Sequence, residues 1–123
     1  MKVLLVDDSK LARMAIAKAL NMVRPGWVRI EAANAEEALA QLRNAEPDLA
    51  IFDFNMPGDD GFTLATASSA LRPGMPMAII SANYQQEIVE RAHALGATFL
   101  PKPITNEALE EFFVSAEQKL RGA

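Results

Sequence analysis

The chain has no cysteine among its 123 residues. That excludes a disulfide scaffold and thiolate metal sites, and it is compatible with a reducing compartment. No stretch approaches the ~20 continuous apolar residues of a membrane span. The opening MKVLLVDDSK carries one lysine and a short apolar run broken by two aspartates, too short for a secretory signal. Basic residues are in the minority, 12 Lys and Arg against 16 Asp and Glu, for a net charge of −4. A sequence-independent grip on nucleic acid is therefore not expected. Linkers, low-complexity segments and separate repeats are also missing. What is present is an ordinary globular composition, half apolar and 23% charged. The length fits one domain, residues 1–123, that buries roughly two-thirds of its unfolded surface.

Short apolar runs alternate with helical patterns. Residues 3–6 (VLLV), 27–30 (WVRI), 49–52 (LAIF), 77–80 (MAII) and 97–100 (ATFL) read as strands. A first helix over 11–23 has apolar positions at Leu11, Met14, Ala15, Leu20 and Val23, and Arg24-Pro25-Gly26 ends it. Asn34 with Glu37 three residues later has the form of a capping box, and that helix stops before Pro47. A third helix runs from about Asp60-Gly61-Phe62 to Arg72-Pro73-Gly74. Asn83 and Gln86 repeat the capping pattern before a helix that Gly96 terminates. Thr105 caps a last helix running almost to Ala123. Strands apolar on both faces need helices on both sides. Right-handed crossovers then give an α/β, doubly wound, three-layer (βα)5 domain.

The aspartates are distributed unlike the glutamates, which lie mainly in predicted helices. Asp7 and Asp8 follow the first strand, Asp53 ends the third, Asp59 and Asp60 lie in the loop after it, and only Asp48 precedes a strand. Ligands of open α/β sheets bind outside the carboxyl ends of the strands. Three carboxylates gathered there repel one another unless a counter-charge is supplied. A hard divalent cation supplies it, and Mg²⁺ keeps water positions free for a phosphoryl group. The plainer alternative, that Asp7 and Asp8 only cap the first helix, needs one aspartate and not three. Ser81 closes the fourth strand with a hydroxyl donor, and Lys102 follows the fifth with a point charge suited to a phosphoryl oxygen. Pro103 after Lys102 leads us to expect a cis Lys102–Pro103 bond.

These residues resemble the receiver domain of bacterial two-component response regulators, of the single-domain, chemotaxis-regulator-like kind. The likeness covers essentially the whole chain. It rests on Asp7-Asp8, on Asp53 followed by Asn55-Met56-Pro57 and Asp60-Gly61, on Ser81-Ala82, on Gly96-Ala97 and on Lys102-Pro103. The resemblance implies a flavodoxin-like sheet in the order 2-1-3-4-5 and a cytoplasmic phosphoacceptor. Asp53 would receive a phosphoryl group from a histidine kinase or phosphotransfer protein. Asp8, Asp53 and the backbone carbonyl of Asn55 would bind Mg²⁺ (or Mn²⁺) directly, with Asp7 reaching it through water. Ser81 and Lys102 would hold phosphoryl oxygens, and Ser81 and Phe99 would form the switch. Phe99 also reads as a plain core aromatic. Asn55 and Asn83 match positions that influence the lifetime of the phosphoryl group.

The implied output surface, helix four, strand five and helix five, would draw on Tyr84, Glu87, Glu90, Arg91, Leu100, Glu107, Glu110, Glu111 and Val114 for a downstream protein partner. The chain would act as a monomer or as a phosphorylation-dependent dimer, without membrane insertion. Phe112 and Phe113 read as core, and His93 as structural or solvated. A phosphatase of the haloacid-dehalogenase type would need a proton-donating carboxylate where Asn55 stands. A flavin binder would not put Asp7-Asp8 where the flavin phosphate sits. A phosphorylation-independent adapter on the same fold would be expected to lack one of the site residues, and none is missing.

Overall fold

The computed structural model describes residues 1–55, 61–82 and 85–122. Strands and helices alternate along the chain: β1 (Lys2–Val6), α1 (Lys10–Val23), β2 (Val28–Ala32), α2 (Ala35–Asn44), β3 (Leu49–Asp53), α3 (Gly61–Leu71), β4 (Met77–Ser81), α4 (Gln86–Ala94), β5 (Thr98–Pro101) and α5 (Asn106–Gly122). The sheet is parallel throughout, in the order β2-β1-β3-β4-β5. Successive side chains of a strand point to opposite faces, and this sheet has two cores accordingly. Leu4, Val6, Phe52 and Ile79 pack with Leu42, Phe62 and Ile88 from α2, α3 and α4. Val3, Leu5, Ile51 and Ile80 pack with Ile16, Leu20, Leu109 and Phe113 from α1 and α5. Phe112 and Phe113 are both core residues, as expected.

Helix ends follow local chemistry. Asn34 accepts from the Glu37 N–H, and Glu37 reaches back to the Ala33 N–H and the Asn34 amide. Thr105 accepts from the Ala108 N–H. Gly96, at φ 76°, ends α4 with the Gly96 N–H on the His93 carbonyl and the Ala97 N–H on the Ala92 carbonyl. That paired arrangement wants a residue without Cβ at the left-handed position. The Lys102–Pro103 peptide is cis.

Four expectations are corrected. The core stripe of α1 is Ile16, Ala17 and Leu20; Leu11 and Met14 are 78% and 56% exposed, and Ala15 is exposed too. The helix carries apolar residues on both sides, so spacing alone could not choose the buried one. Gln85, not Asn83, is the N-cap of α4; it makes no side-chain capping bond, and Gln86 instead donates to Glu90. Asn83 lies outside the described residues. Trp27 precedes β2 rather than starting it, and that edge strand is mostly exposed. Leu100 is 3% exposed and belongs to the core under α5, so it is not part of an output surface.

Arg24 ties the two helices of the second layer together. Its guanidinium donates to both carboxylate oxygens of Glu110 and to Glu117 on α5. It also stands over Trp27 and Phe113, 5.6 and 5.9 Å from the ring centroids. The Arg24 hydrogen bonds hold the Glu110 carboxyl below its ordinary value. A group with a lowered folded pKa stabilises the fold above its unfolded pKa and loses that contribution as pH falls through the folded one. The melting temperature of the native protein should therefore drop more steeply below about pH 4.5 than that of Glu110→Gln, which should be less stable at pH 7. Thermal melts across pH 3–7, read by circular dichroism, check this; parallel curves would count against the clamp.

Candidate functional site

The site forms at the carboxyl ends of β1, β3, β4 and β5. Neighbouring β1 and β3 are where the strand order reverses, since the chain leaves β1 toward β2 on one side and continues from β3 on the other. β1 delivers Asp7 and Asp8, and Asp53 is the last residue of β3. Neither of the first two aspartates caps α1. Ser9 does, accepting from the Ala12 N–H. The plain capping reading of Asp7 and Asp8 is thereby removed.

Asp7, Asp8 and Asp53 each offer a carboxylate oxygen within 4.8 Å of the others. Asp7 and Asp53 are 1% and 2% exposed, and Asp8 is exposed. Lys102 reaches across from the end of β5, with Nζ 2.9 Å from Asp53 Oδ1 and 3.8 Å from Asp7 Oδ2. Asp7 Oδ1 accepts from the Ser9 N–H at 2.9 Å, whereas Asp7 Oδ2 is buried with no hydrogen-bond partner among the described residues. Burial pushes the Asp7 carboxyl above its ordinary value, the Ser9 N–H opposes this, and the charge of Asp53 adds to it. A buried carboxylate oxygen lacking a hydrogen bond among the described residues, in a cluster of hard oxygen donors, fits a divalent cation such as Mg²⁺. Asp7, Asp8 and Asp53 are the residues that could hold it.

Ser81, the last residue of β4, is fully buried, and its carbonyl accepts from the Lys102 N–H at 3.0 Å. Backbone pairing thus fixes the start of the segment carrying Lys102 against β4. Phe99 is half-buried in β5, beside Ile79, and packs against the core on the α2, α3 and α4 side. Asn55 is exposed, two residues past the end of β3. Met56, Pro57, Asp59, Asp60 and Tyr84 lie outside the described residues. Beside Lys102 opens a hollow of about 490 Å³ with mostly apolar walls, among them Ala12, Ala15, Ile16, Pro103 and Ile104.

Gly61 matters for a reason its place in the sequence motif does not reveal. A Cβ there would lie 2.7 Å from the backbone oxygen of Asp53 and 3.1 Å from Phe54 Cα. The Gly61 N–H donates to the Phe54 carbonyl at 3.0 Å. The start of α3 is therefore seated directly on the backbone that carries Asp53, and only glycine permits that approach.

The chain belongs to the response regulator receiver domain family, whose model matches residues 3–113. Receivers of this kind serve two-component signalling. Among solved structures it is similar to the chemotaxis protein CheY4 of Vibrio cholerae, at 31% identity and a TM-score of 0.82, covering 94% of this chain and 97% of that one. It is likewise similar to a CheY-like receiver domain protein of Methanospirillum hungatei, at 26% identity and a TM-score of 0.87, covering 99% and 98%. Among curated relatives, it is 32% identical to the positive alginate biosynthesis regulatory protein of Pseudomonas aeruginosa, over 98% of this chain and 49% of the relative. It is 35% identical to a protein-glutamate methylesterase/protein-glutamine glutaminase of Rhodospirillum rubrum, over 98% of this chain and 35% of the relative. The chain thus spans half or less of the length of these curated relatives.

In the absence of a divalent cation, Asp7→Asn should melt about 3–5 °C above the native protein at pH 7, equivalent to about 1 kcal/mol. The raised folded pKa of Asp7 means that its penalty grows as pH rises through that value and fades as pH falls toward 3.8. The gap between the two melts should narrow accordingly. A variant less stable than the native protein in chelator at pH 7 would contradict this account.

Proposed function

We propose that this chain, over residues 1–123, is a phosphoacceptor switch in which Asp53 takes a phosphoryl group from the phosphohistidine of a histidine kinase or phosphotransfer protein. The observation that carries the reading is the Lys102 ammonium, 2.9 Å from Asp53 Oδ1, set beside three clustered carboxylates at the sheet's switch point. A carboxylate oxygen of Asp53 attacks phosphorus. The new P–O bond forms as the P–N bond to the donor imidazole breaks, and the departing nitrogen keeps that electron pair. Phosphoryl transfer of this kind depends on alignment and on neutralising the equatorial oxygens. Lys102 supplies a fixed positive charge and Ser81 a hydroxyl donor. Asp7, Asp8, Asp53 and the Asn55 carbonyl would hold Mg²⁺ (or Mn²⁺), which when bound adds divalent charge against the phosphoryl oxygens. Water attack on the acyl phosphate returns Asp53 to the carboxylate. No other substrate is turned over, so the chain is a switch rather than an enzyme acting on external molecules.

The output reading places a protein partner on the α4, β5 and α5 face. Glu87, Glu90 and Arg91 on α4, and Glu107, Glu111 and Val114 on α5, are exposed and available for it. Glu110 is engaged by Arg24 from the other side of α5. Among the described residues no helix is long and apolar enough to cross a membrane. Phosphorylation shifts the population of this surface by its differential stabilisation of one arrangement.

Incubation with acetyl phosphate should add one phosphoryl group, seen by intact mass, only when both Mg²⁺ and Asp53 are present. Asp53→Ala should stay folded and unlabelled. A folded native protein that takes no label would favour a phosphorylation-independent adapter on this fold. Lys102→Ala should keep most divalent-cation affinity but lose the shifts at Leu100 and Val114 that phosphorylation produces in amide NMR spectra; native-like shifts would remove Lys102 from the switching path.

A further inference from the structure

Asp8 poses a problem that the proposed site does not itself solve. Its side chain is exposed and makes no hydrogen bond or ion pair among the described residues. One of its oxygens nevertheless stands within 4.8 Å of two other carboxylates. Like charges without a tether should splay toward water, so the backbone must hold Asp8 in place. The Asp7 N–H donates to the Ala32 carbonyl at 3.2 Å. The carbonyl of the Asp7–Asp8 peptide is held from the other side: Arg13 Nη1 donates to it at 2.5 Å. The Arg13 side chain is mostly buried, and its Nε donates to Glu31 Oε1 at 3.1 Å. Glu31 belongs to β2, which pairs with β1 in register from Lys2↔Val28 to Val6↔Ala32. A continuous path therefore runs from the sheet through Glu31 and Arg13 to the peptide that presents Asp8.

We infer that Arg13, braced by Glu31, is a positioning residue for the cation site, fixing the Asp7–Asp8 peptide plane so that a carboxylate oxygen of Asp8 stays beside those of Asp7 and Asp53. This inference rests on the cation reading of the three aspartates. The planar guanidinium serves two acceptors at once, the carboxylate through Nε and the carbonyl through Nη1. A lysine ammonium on a flexible stem does not reproduce that fork. Groups that orient the ligands of a metal are worth about 10–100-fold in affinity when removed.

The test is Mn²⁺ binding, read from the free-ion signal in electron paramagnetic resonance, with Mg²⁺ measured by competition. Native protein, Arg13→Met, Arg13→Lys and Glu31→Gln are compared at a temperature where circular dichroism shows each folded. Arg13→Met should raise the Mn²⁺ Kd about 10-fold. Arg13→Lys should recover only part of that loss, and Glu31→Gln should show a smaller rise in the same direction. A role confined to tying α1 to β2 would lower melting temperature without changing Kd. Folded Arg13→Met with native affinity overturns the inference. Should that variant not fold, native affinity in both Arg13→Lys and Glu31→Gln overturns it equally. A native chain that binds no Mn²⁺ or Mg²⁺ overturns the cation reading as well as this one, whereas native binding with unchanged variants overturns this one alone.

Discussion

The constraint on which the rest of the structure depends is electrostatic: three carboxylates share one end of a parallel sheet. At an effective dielectric near 20, two charges at such separations repel by roughly 3–4 kcal/mol. Lys102 stands 2.9 Å from Asp53 Oδ1 and 3.8 Å from Asp7 Oδ2, and Asp7 keeps that buried oxygen without a hydrogen bond among the described residues. Such an arrangement persists only because its neighbours determine it several times over. β1 and β3 are paired from Val3↔Leu49 to Val6↔Phe52, which places the strand ends side by side. The Ser9 N–H fixes one Asp7 oxygen, Gly61 lets α3 sit on the Asp53 carbonyl, and the Lys102 N–H is bonded to Ser81. Stability is given up locally and recovered in the two cores, a distribution common at functional sites.

The parallel strands were legible because β1, β3 and β4 are apolar on both faces, a pattern that few other arrangements accommodate. The clustering of Asp7, Asp8 and Asp53 was legible because aspartates at strand ends have little reason to gather for packing. The misreadings have the same physical origin in reverse. Leu11 and Met14 have helical spacing, but spacing reports a stripe and not which stripe is buried. Leu100 belongs by its element to the expected surface, yet alternation along β5 turns it inward to α5. Gln85 caps α4 without a side-chain capping bond, so the sequence held no signal for it. Arg13 did leave one: α1 has no acidic residue in its first turn, and a basic residue near a helix N-terminus opposes the helix dipole. Arg13 meets that cost with a local partner, the Asp7 carbonyl.

The two faces of the sheet stand in different relations to the site. On one face, Arg24 binds α1 to α5 through Glu110 and Glu117, and Phe113 and Trp27 pack 4.9 Å apart beneath it. On the other, Phe54 follows Asp53 directly and meets Phe62 edge-on at 5.2 Å. Phe62 in turn lies under the Arg91 guanidinium of α4, 4.2 Å from its ring centroid. The clamped face has ionic and aromatic ties formed among Arg24, Trp27, Glu110, Phe113 and Glu117. The face bearing α3 and α4 touches the backbone of Asp53 and Phe54 through Gly61 and the Phe54 ring through Phe62.

On the proposed reading, this asymmetry matters for signalling. A phosphoryl group on Asp53 adds charge where Lys102 already stands and draws Lys102 and the Ser81 hydroxyl toward it. Packed interiors respond to such a demand by moving between discrete arrangements rather than by deforming smoothly. The elements best placed to make that move are those not clamped to a neighbouring helix by ion pairs. Helix α4 packs through Ile88 and Ala92 and stacks Arg91 on Phe62 of α3, but among the described residues it has no ion pair to a neighbouring helix. Helix α5 qualifies less, because Arg24 secures it to α1 through two carboxylates. The output should therefore reside more in the orientation of α4 against β5 than in displacement of α5, and the acidic side chains of α5 would serve as the fixed half of the surface a partner reads.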